Sequence, residues 1–118
     1  PEIALRLIMV DEHKDPVGII AFGQHFADED LSVPRPGVGE IIHLVIDERQ
    51  QDRGYGRQAV QLAISQLQEN YDRIVIAHDP DNAVARGLYE SLGFRQFTEN
   101  YDGDPLLELI TKRSGGVR

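Results

Sequence analysis

The chain has no cysteine, no tryptophan and a single methionine, and nowhere carries an apolar run of membrane-spanning length. Without cysteine, neither a disulfide framework nor a thiolate metal site can form, and nothing marks an oxidising compartment. The expected location is cytoplasmic, and no metal site is expected. The longest apolar stretches, Leu7 to Val10 and Val17 to Phe22, fall far short of the roughly 20 residues a spanning helix needs, and no leader peptide is visible. Positive charge is also scarce. Twelve Lys and Arg stand against twenty Asp and Glu, a net charge of −8, which disfavours non-specific binding to nucleic acid and favours a cationic partner. A starting methionine is absent too, and the chain enters an apolar run almost directly from Pro1, so an upstream segment is expected to be missing.

What is present fits one domain over residues 1–118, because 118 residues with 41% hydrophobic and 27% charged content match the usual size of a single core. Ile3 to Val10 and Val17 to Gly23 are aliphatic runs joined by the turn-like Asp11 to Pro16, which predicts an antiparallel hairpin. Gln24 to Gly39, with Asp28-Glu29-Asp30 and two prolines, reads as a mobile surface loop. Glu40 to Ile46 is a nearly continuous apolar strand, expected at the centre of the sheet and covered on both faces. Ala59, Val60, Ala63, Ile64 and Leu67 form the stripe of an amphipathic helix from about Tyr55 to Glu69. A strand over Arg73 to Ala77 leads to Asn82 as the N-cap of a second helix, whose stripe is Val84, Leu88 and Leu92. Gly93 and Phe94 read as its Schellman-type ending. Arg95 to Glu99 and Leu106 to Thr111 make a last strand pair, and Ser114 onward should fray.

The informative junction is Ile46 to Arg57, where a buried strand turns into a helix. A helix N-terminus offers unpaired N–H groups and partial positive charge, and Gly54 and Gly56 leave the backbone bare for an anion. Arg53 and Arg57 flank these glycines, an arrangement that opposes the helix dipole unless a bound anion compensates. The plainer reading is that the glycines only permit a tight turn. A Walker loop is excluded by the missing Gly-Lys-Ser/Thr ending, and a dinucleotide fingerprint by its missing third glycine. What remains is Gln-x-x-Gly-x-Gly.

Gln51-Asp52-Arg53-Gly54-Tyr55-Gly56 after an apolar strand resembles the acetyl-CoA signature of the GNAT N-acetyltransferases. The segment Asn82 to Phe94 is similar to that family's Asn-x-x-Ala-x-x-x-Tyr-Glu-x-x-Gly-Phe pattern. A narrower likeness, through Ile46 to Arg49, is to bacterial spermine/spermidine-type members. The resemblance covers Ile3 to Lys112 and implies an α/β (α+β) fold with a central, mixed, mostly antiparallel twisted sheet and helices on both faces. The family's first strand and first two helices have no counterpart in the sequence.

The resemblance also implies acetyl-CoA as cosubstrate, with direct transfer of its acetyl group to a primary amine of a small molecule, a polyamine among the acceptors. It implies contacts to acetyl-CoA from Leu44, Val45, Ile46, Gln51, Asp52, Arg53, Gly54, Tyr55, Gly56, Arg57, Asn82, Ala85 and Tyr89. A homodimer is a further expectation. Alternatives are a non-catalytic acyl-CoA-binding module and a protein-lysine acetyltransferase. Tyr89 matches the family's proton donor to the departing sulfur, and a phenol with an ordinary pKa of about 10 stays protonated at neutral pH. Its plainer role is packing on the sheet. Asn82 either caps its helix or serves the cofactor arm, since a cap uses only the side-chain oxygen.

For the base that takes the amine's proton, Glu40, His43, His78 and water compete. Strand alternation puts Glu40 and His43 on opposite faces, and His78 ends the fourth strand beside the cleft. The family's glutamate position on this strand is held here by Ile42, and Glu40 shares its face; Glu40 is the catalytic candidate beside Tyr89. Asp28-Glu29-Asp30 is either a solvated loop tip or an attractor for a cationic amine.

Overall fold

The computed structural model describes residues 3–9, 15–26, 33–51 and 53–111. The acidic segment Asp28-Glu29-Asp30, Asp52 and the tail from residue 112 lie outside them. Six strands form one sheet: β1 (Ile3–Ile8), β2 (Gly18–Phe26), β3 (Pro34–Ile46), β4 (Arg73–Ala77), β5 (Arg95–Glu99) and β6 (Pro105–Ile110), in the spatial order β1-β2-β3-β4-β6-β5. Only β3 and β4 pair in parallel; the hairpin β1–β2 and the pairs β2–β3, β4–β6 and β5–β6 are antiparallel. Helix α1 (Tyr55–Leu67) makes the crossover from β3 to β4, and α2 (Ala83–Ser91) carries the chain from β4 to β5. This is the mixed, mostly antiparallel α/β architecture expected from the sequence.

The core lies between the two helices and one face of the sheet. Ile20, Phe22, Ile41, Ile74, Ile76 and Leu107 from the strands meet Ala59, Val60, Ala63 and Leu67 of α1 and Tyr89 of α2, with Phe94 fully buried among them. Both helices sit on this face because both connections run the same way across the sheet, and crossovers between parallel strands are right-handed. The second helical layer that the resemblance implies has no counterpart among the described residues. On the opposite face a small cluster of Val38, Val75 and Leu106 is buried, while Leu5, Leu7 and Val45 are exposed. β3 is therefore central but covered on one face, not two: Ile42, His43 and Val45 are all exposed.

The loop expected over Gln24 to Gly39 is shorter than its composition suggests. β2 runs on to Phe26 and β3 begins at Pro34. The prolines are tolerated because β4 pairs with β3 only from Val38 onward, so Pro34 and Pro36 lack a neighbour on that side and need no N–H there. Where the β2–β3 register shifts, between Gln24 and Phe26, the Gln24 amide donates to the carbonyls of His25 and Arg35, each at 2.8 Å.

Helix α2 ends as its sequence predicts: the N–H of Phe94 donates to Tyr89 O and that of Gly93 to Glu90 O, both at 3.1 Å, with Gly93 at φ 104°. Its stripe is shifted, however. Val84 is 81% exposed, and Ala85, Leu88, Tyr89 and Leu92 face the core. Position 84 is the second residue of the helix and lies off its core-facing stripe. Among the described residues no helix is long and apolar enough to cross a membrane.

Candidate functional site

A gap opens in the middle of the sheet. β3 and β4 pair from Val38↔Arg73 to Ile41↔Ile76 and then part, although β3 continues to Ile46. The direction of its backbone groups follows from the ladder with β2. Asp47 N–H donates to Val17 O at 2.7 Å, and antiparallel pairs alternate between bonded and non-bonded. Val45 is therefore committed to Ile19, while Leu44 and Ile46 turn their N–H and C=O away from β2, into the gap. The Ile46 carbonyl is taken by the Gln51 side chain at 3.0 Å, which fastens the turn that follows.

That turn runs through a 3₁₀ segment, Glu48–Gln50, which Asp47 caps by accepting from Arg49 N–H at 3.0 Å. The Arg49 guanidinium beside it holds the Asp47 carboxyl below its ordinary range. Gly54 then enters α1 at φ 82°, a left-handed conformation that suits glycine, and contributes no side-chain cap. The first bond within the helix is Gln58 N–H to Gly54 O at 3.1 Å, so the N–H groups of Tyr55, Gly56 and Arg57 are open among the described residues. Arg53 is exposed and has no ion-pair partner among the described residues, whereas Arg57 bonds Ser91 Oγ at 2.8 Å and ties α1 to α2.

Gly56 is informative in a different way. Its φ is not positive, so conformation does not require a glycine. A Cβ there would stand 3.8 Å from Leu88, 3.9 Å from Ile46 and 4.0 Å from Leu44. The missing side chain thus leaves room where α1, α2 and the freed edge of β3 converge. Bare amides, an unpaired cation and this trough together suit a ligand with an anionic head and a narrow arm able to hydrogen-bond to a strand edge.

On the α2 side, Asn82 caps the helix by accepting from Ala85 N–H at 3.0 Å, which leaves its NH₂ unused. Tyr89 is 6% exposed, packs edge-on against Phe94 at 6.1 Å, and lies 6.3 Å from the His78 ring. Its hydroxyl has no hydrogen-bond partner among the described residues, and burial pushes its pKa above the ordinary phenol value. His78 is buried as well: Nδ1 lies 2.7 Å from the Asp79 carbonyl, to which it can only donate, and Nε2 has no partner among the described residues.

The gap therefore brings Leu44, Ile46, Gly56 and Leu88 together, with the open N–H groups of Tyr55 to Arg57 at the α1 end. Val45 points its side chain the other way. Asp52 lies outside the described residues.

The expected opposition of Glu40 and His43 is overturned. Glu40 pairs with Gly23, Ile41 with Phe22 and His43 with Ala21, so Ile42 is an extra residue, a bulge. Gly23 and Ala21 share a face of β2, and directly paired residues share a face, so Glu40 and His43 both stand on the side away from α1. Glu40 Oε1 meets His25 Nδ1 at 2.7 Å. Sequence reasoning missed His25 because Gln24 to Gly39 reads as a loop; the alternation of Ile20 and Phe22 with Ala21 and Gly23, continued two residues further, is the signal that places it on this face.

Comparison with known proteins gives this geometry its context. Solved structures share the fold: an acetyltransferase from Thermus thermophilus (TM-score 0.73, 20% identity, covering 93% of this chain and 65% of that one), and the PaiA N-acetyltransferase from Thermoplasma acidophilum in complex with coenzyme A (TM-score 0.72, 14% identity, covering 92% and 61%). Two curated relatives are mycothiol acetyltransferases. That of Kocuria rhizophila is 38% identical over 63 residues, and that of Beutenbergia cavernae 40% over 65. These matches cover 52% and 54% of this chain but only 21% and 22% of the relatives' length. The family model for the acetyltransferase (GNAT) family matches residues 3–94, and the chain belongs to that family.

Proposed function

We propose that the gap between β3 and β4 binds acetyl-CoA and that the chain transfers its acetyl group directly to a primary amine of a small molecule. The observation that carries this reading is the trough at Gly56, where open helix N–H groups meet the unpaired edge of β3. Acetyl-CoA would supply the acetyl group as a thioester, already activated for attack by an amine. The N–H groups of Tyr55, Gly56 and Arg57, with Arg53, would hold the pyrophosphate, and the Leu44 and Ile46 edge and the Asn82 amide would hold the arm.

Tyr89 keeps its phenolic proton through neutral pH, because burial disfavours the phenolate, and would deliver that proton to the departing sulfur. Glu40 faces the side of the sheet that the two helices leave open, and would take the proton the amine must lose. The balance starts from the alkylammonium: one proton leaves nitrogen for the Glu40 carboxylate before attack, a C–N bond replaces the C–S bond, the Tyr89 proton goes to sulfur, and the second proton lost by nitrogen restores the Tyr89 phenol. The net charge of −8 favours a cationic acceptor such as a polyamine. The mycothiol-related sequences make thiol-bearing amines a second class to include.

Release of free CoA thiol, measured with a panel of polyamines, amino sugars, thiol-bearing amines and lysine peptides, tests the reading. Wild-type protein should turn over at least one small amine, and Tyr89→Phe should lose most of that rate while keeping its affinity for acetyl-CoA. Binding of acetyl-CoA with no turnover of any member would leave only an acyl-CoA-binding module. Turnover confined to peptides would replace the small-molecule acceptor with a protein.

A further inference from the structure

The contact between His25 and Glu40 joins two strands on the sheet face opposite the helices. His25 is 7% exposed, and its Nδ1 lies 2.7 Å from Glu40 Oε1. An ionised carboxylate only accepts, so Nδ1 carries the hydrogen and donates it to Glu40. The Glu40 side chain retains about a quarter of its exposure. One carboxylate oxygen is thus held by a buried donor while the carboxylate as a whole still reaches solvent.

The surroundings fix this arrangement from both sides. Directly across from Glu40 on β2 stands Gly23, so no side chain separates the carboxylate from the imidazole two residues further along. The backbone at His25 is itself pinned, because the Gln24 amide bonds the His25 and Arg35 carbonyls across the register shift. A glutamate on a strand ordinarily samples several rotamers, and ordering a long side chain costs up to about 2 kcal/mol. Here the imidazole selects one rotamer before any ligand arrives.

We propose that His25 is a positioning residue for Glu40: by donating from Nδ1 it holds the carboxylate in the orientation in which the other oxygen takes the amine's proton. This rests on the reading of Glu40 as the base. A residue acting only in packing would affect stability and leave the choice among nucleophiles untouched. A positioning residue affects only those amines that must lose a proton first.

The test uses the full chain, acetyl-CoA and two nucleophiles: an alkylamine from the panel, and hydroxylamine, which is neutral at the assay pH and needs no base. His25→Leu should lower kcat for the alkylamine about tenfold or more, short of the full 10²–10⁴ contribution of a general base, with KM for acetyl-CoA and the hydroxylamine rate unchanged. His25→Asn, which keeps a donor near the Nδ1 position, should recover most of the loss. In a Glu40→Gln background, His25→Leu should add nothing.

If Glu40→Gln is impaired and His25→Leu is not, the positioning role is wrong while the base stands. If Glu40→Gln is as active as wild type, the base reading itself falls. Should His25→Leu fail to fold, imidazole nitrogen shifts of the wild-type protein decide: protonation at Nδ1 supports the proposal, and protonation at Nε2 overturns it.

Discussion

Gly56 makes the sharpest prediction, because stability and binding should move in opposite directions. Replacement by alanine places a methyl group at ordinary contact distance, 3.8 to 4.0 Å from Leu88, Ile46 and Leu44, so nothing has to shift. Each such contact gains about 0.1–0.2 kcal/mol, and relief of the glycine penalty in a helix adds up to about 1 kcal/mol. The folded state should gain up to about 1.5 kcal/mol, seen as a rise in Tm of roughly 4–6 °C.

The same methyl stands in the trough between β3 and α2. CoA affinity should fall tenfold or more, a loss of about 1.4 kcal/mol or greater. Valine extends a further ~1.5 Å toward the three side chains, so both quantities should drop, with an overpacking cost of about 1–3 kcal/mol. Thermal unfolding and calorimetric titration with CoA across the glycine, alanine and valine series measure both. Undiminished CoA affinity in Gly56→Ala would refute the placement of the ligand arm, and a fall in Tm for the same variant would refute the reading of the space.

Asn82 separates capping from ligand binding: Asn82→Ala should cost about 1 kcal/mol of stability in urea unfolding, whereas Asn82→Asp keeps the cap and should weaken only CoA binding. The raised pKa of Tyr89 has a signature in alkali. The folded state holds that proton more tightly than the unfolded one, so its contribution is fully present below the ordinary pKa of about 10 and is lost as pH rises from there through the folded value. Urea midpoints of wild type should therefore fall faster above about pH 10 than those of Tyr89→Phe. Gly18→Ala would bring Cβ within 2.3 Å of the Val45 carbonyl oxygen, and should destabilise by about 2 kcal/mol or more and weaken CoA binding by displacing the end of β3.

Much of this fold is legible in the sequence because its signals are local. The strand Arg73–Ala77 appears with the bounds its apolar run predicts, Asn82 caps as expected, and Gly93-Phe94 closes α2 with both bonds of a Schellman ending. Each depends on a few neighbouring residues. The turn from Ile46 into α1 is readable for the same reason. What escaped depends on partners distant in sequence. The two prolines argued for a loop because nothing local reveals that β3 has no neighbour there, and His25 was hidden within that loop. The exposure of Val45 and Val84 likewise follows from which face the helices cover, which periodicity alone does not decide.

The bulge at Ile42 makes the strand a counter that skips one beat. Upstream of it, odd-numbered positions of β3 face the helices; downstream, even-numbered ones do. Any motif matched by counting backward from the turn at Gln51 crosses this slip, so a fixed offset between turn and carboxylate names a position but not a face. Removing Ile42 would restore strict alternation with Glu40 still on its present face and Leu44 and Ile46 still on theirs, so the bulge absorbs one extra residue without inverting either half of β3. Glu40, two residues from the position at Ile42 that the spacing names, is therefore judged by the face it stands on and not by the count.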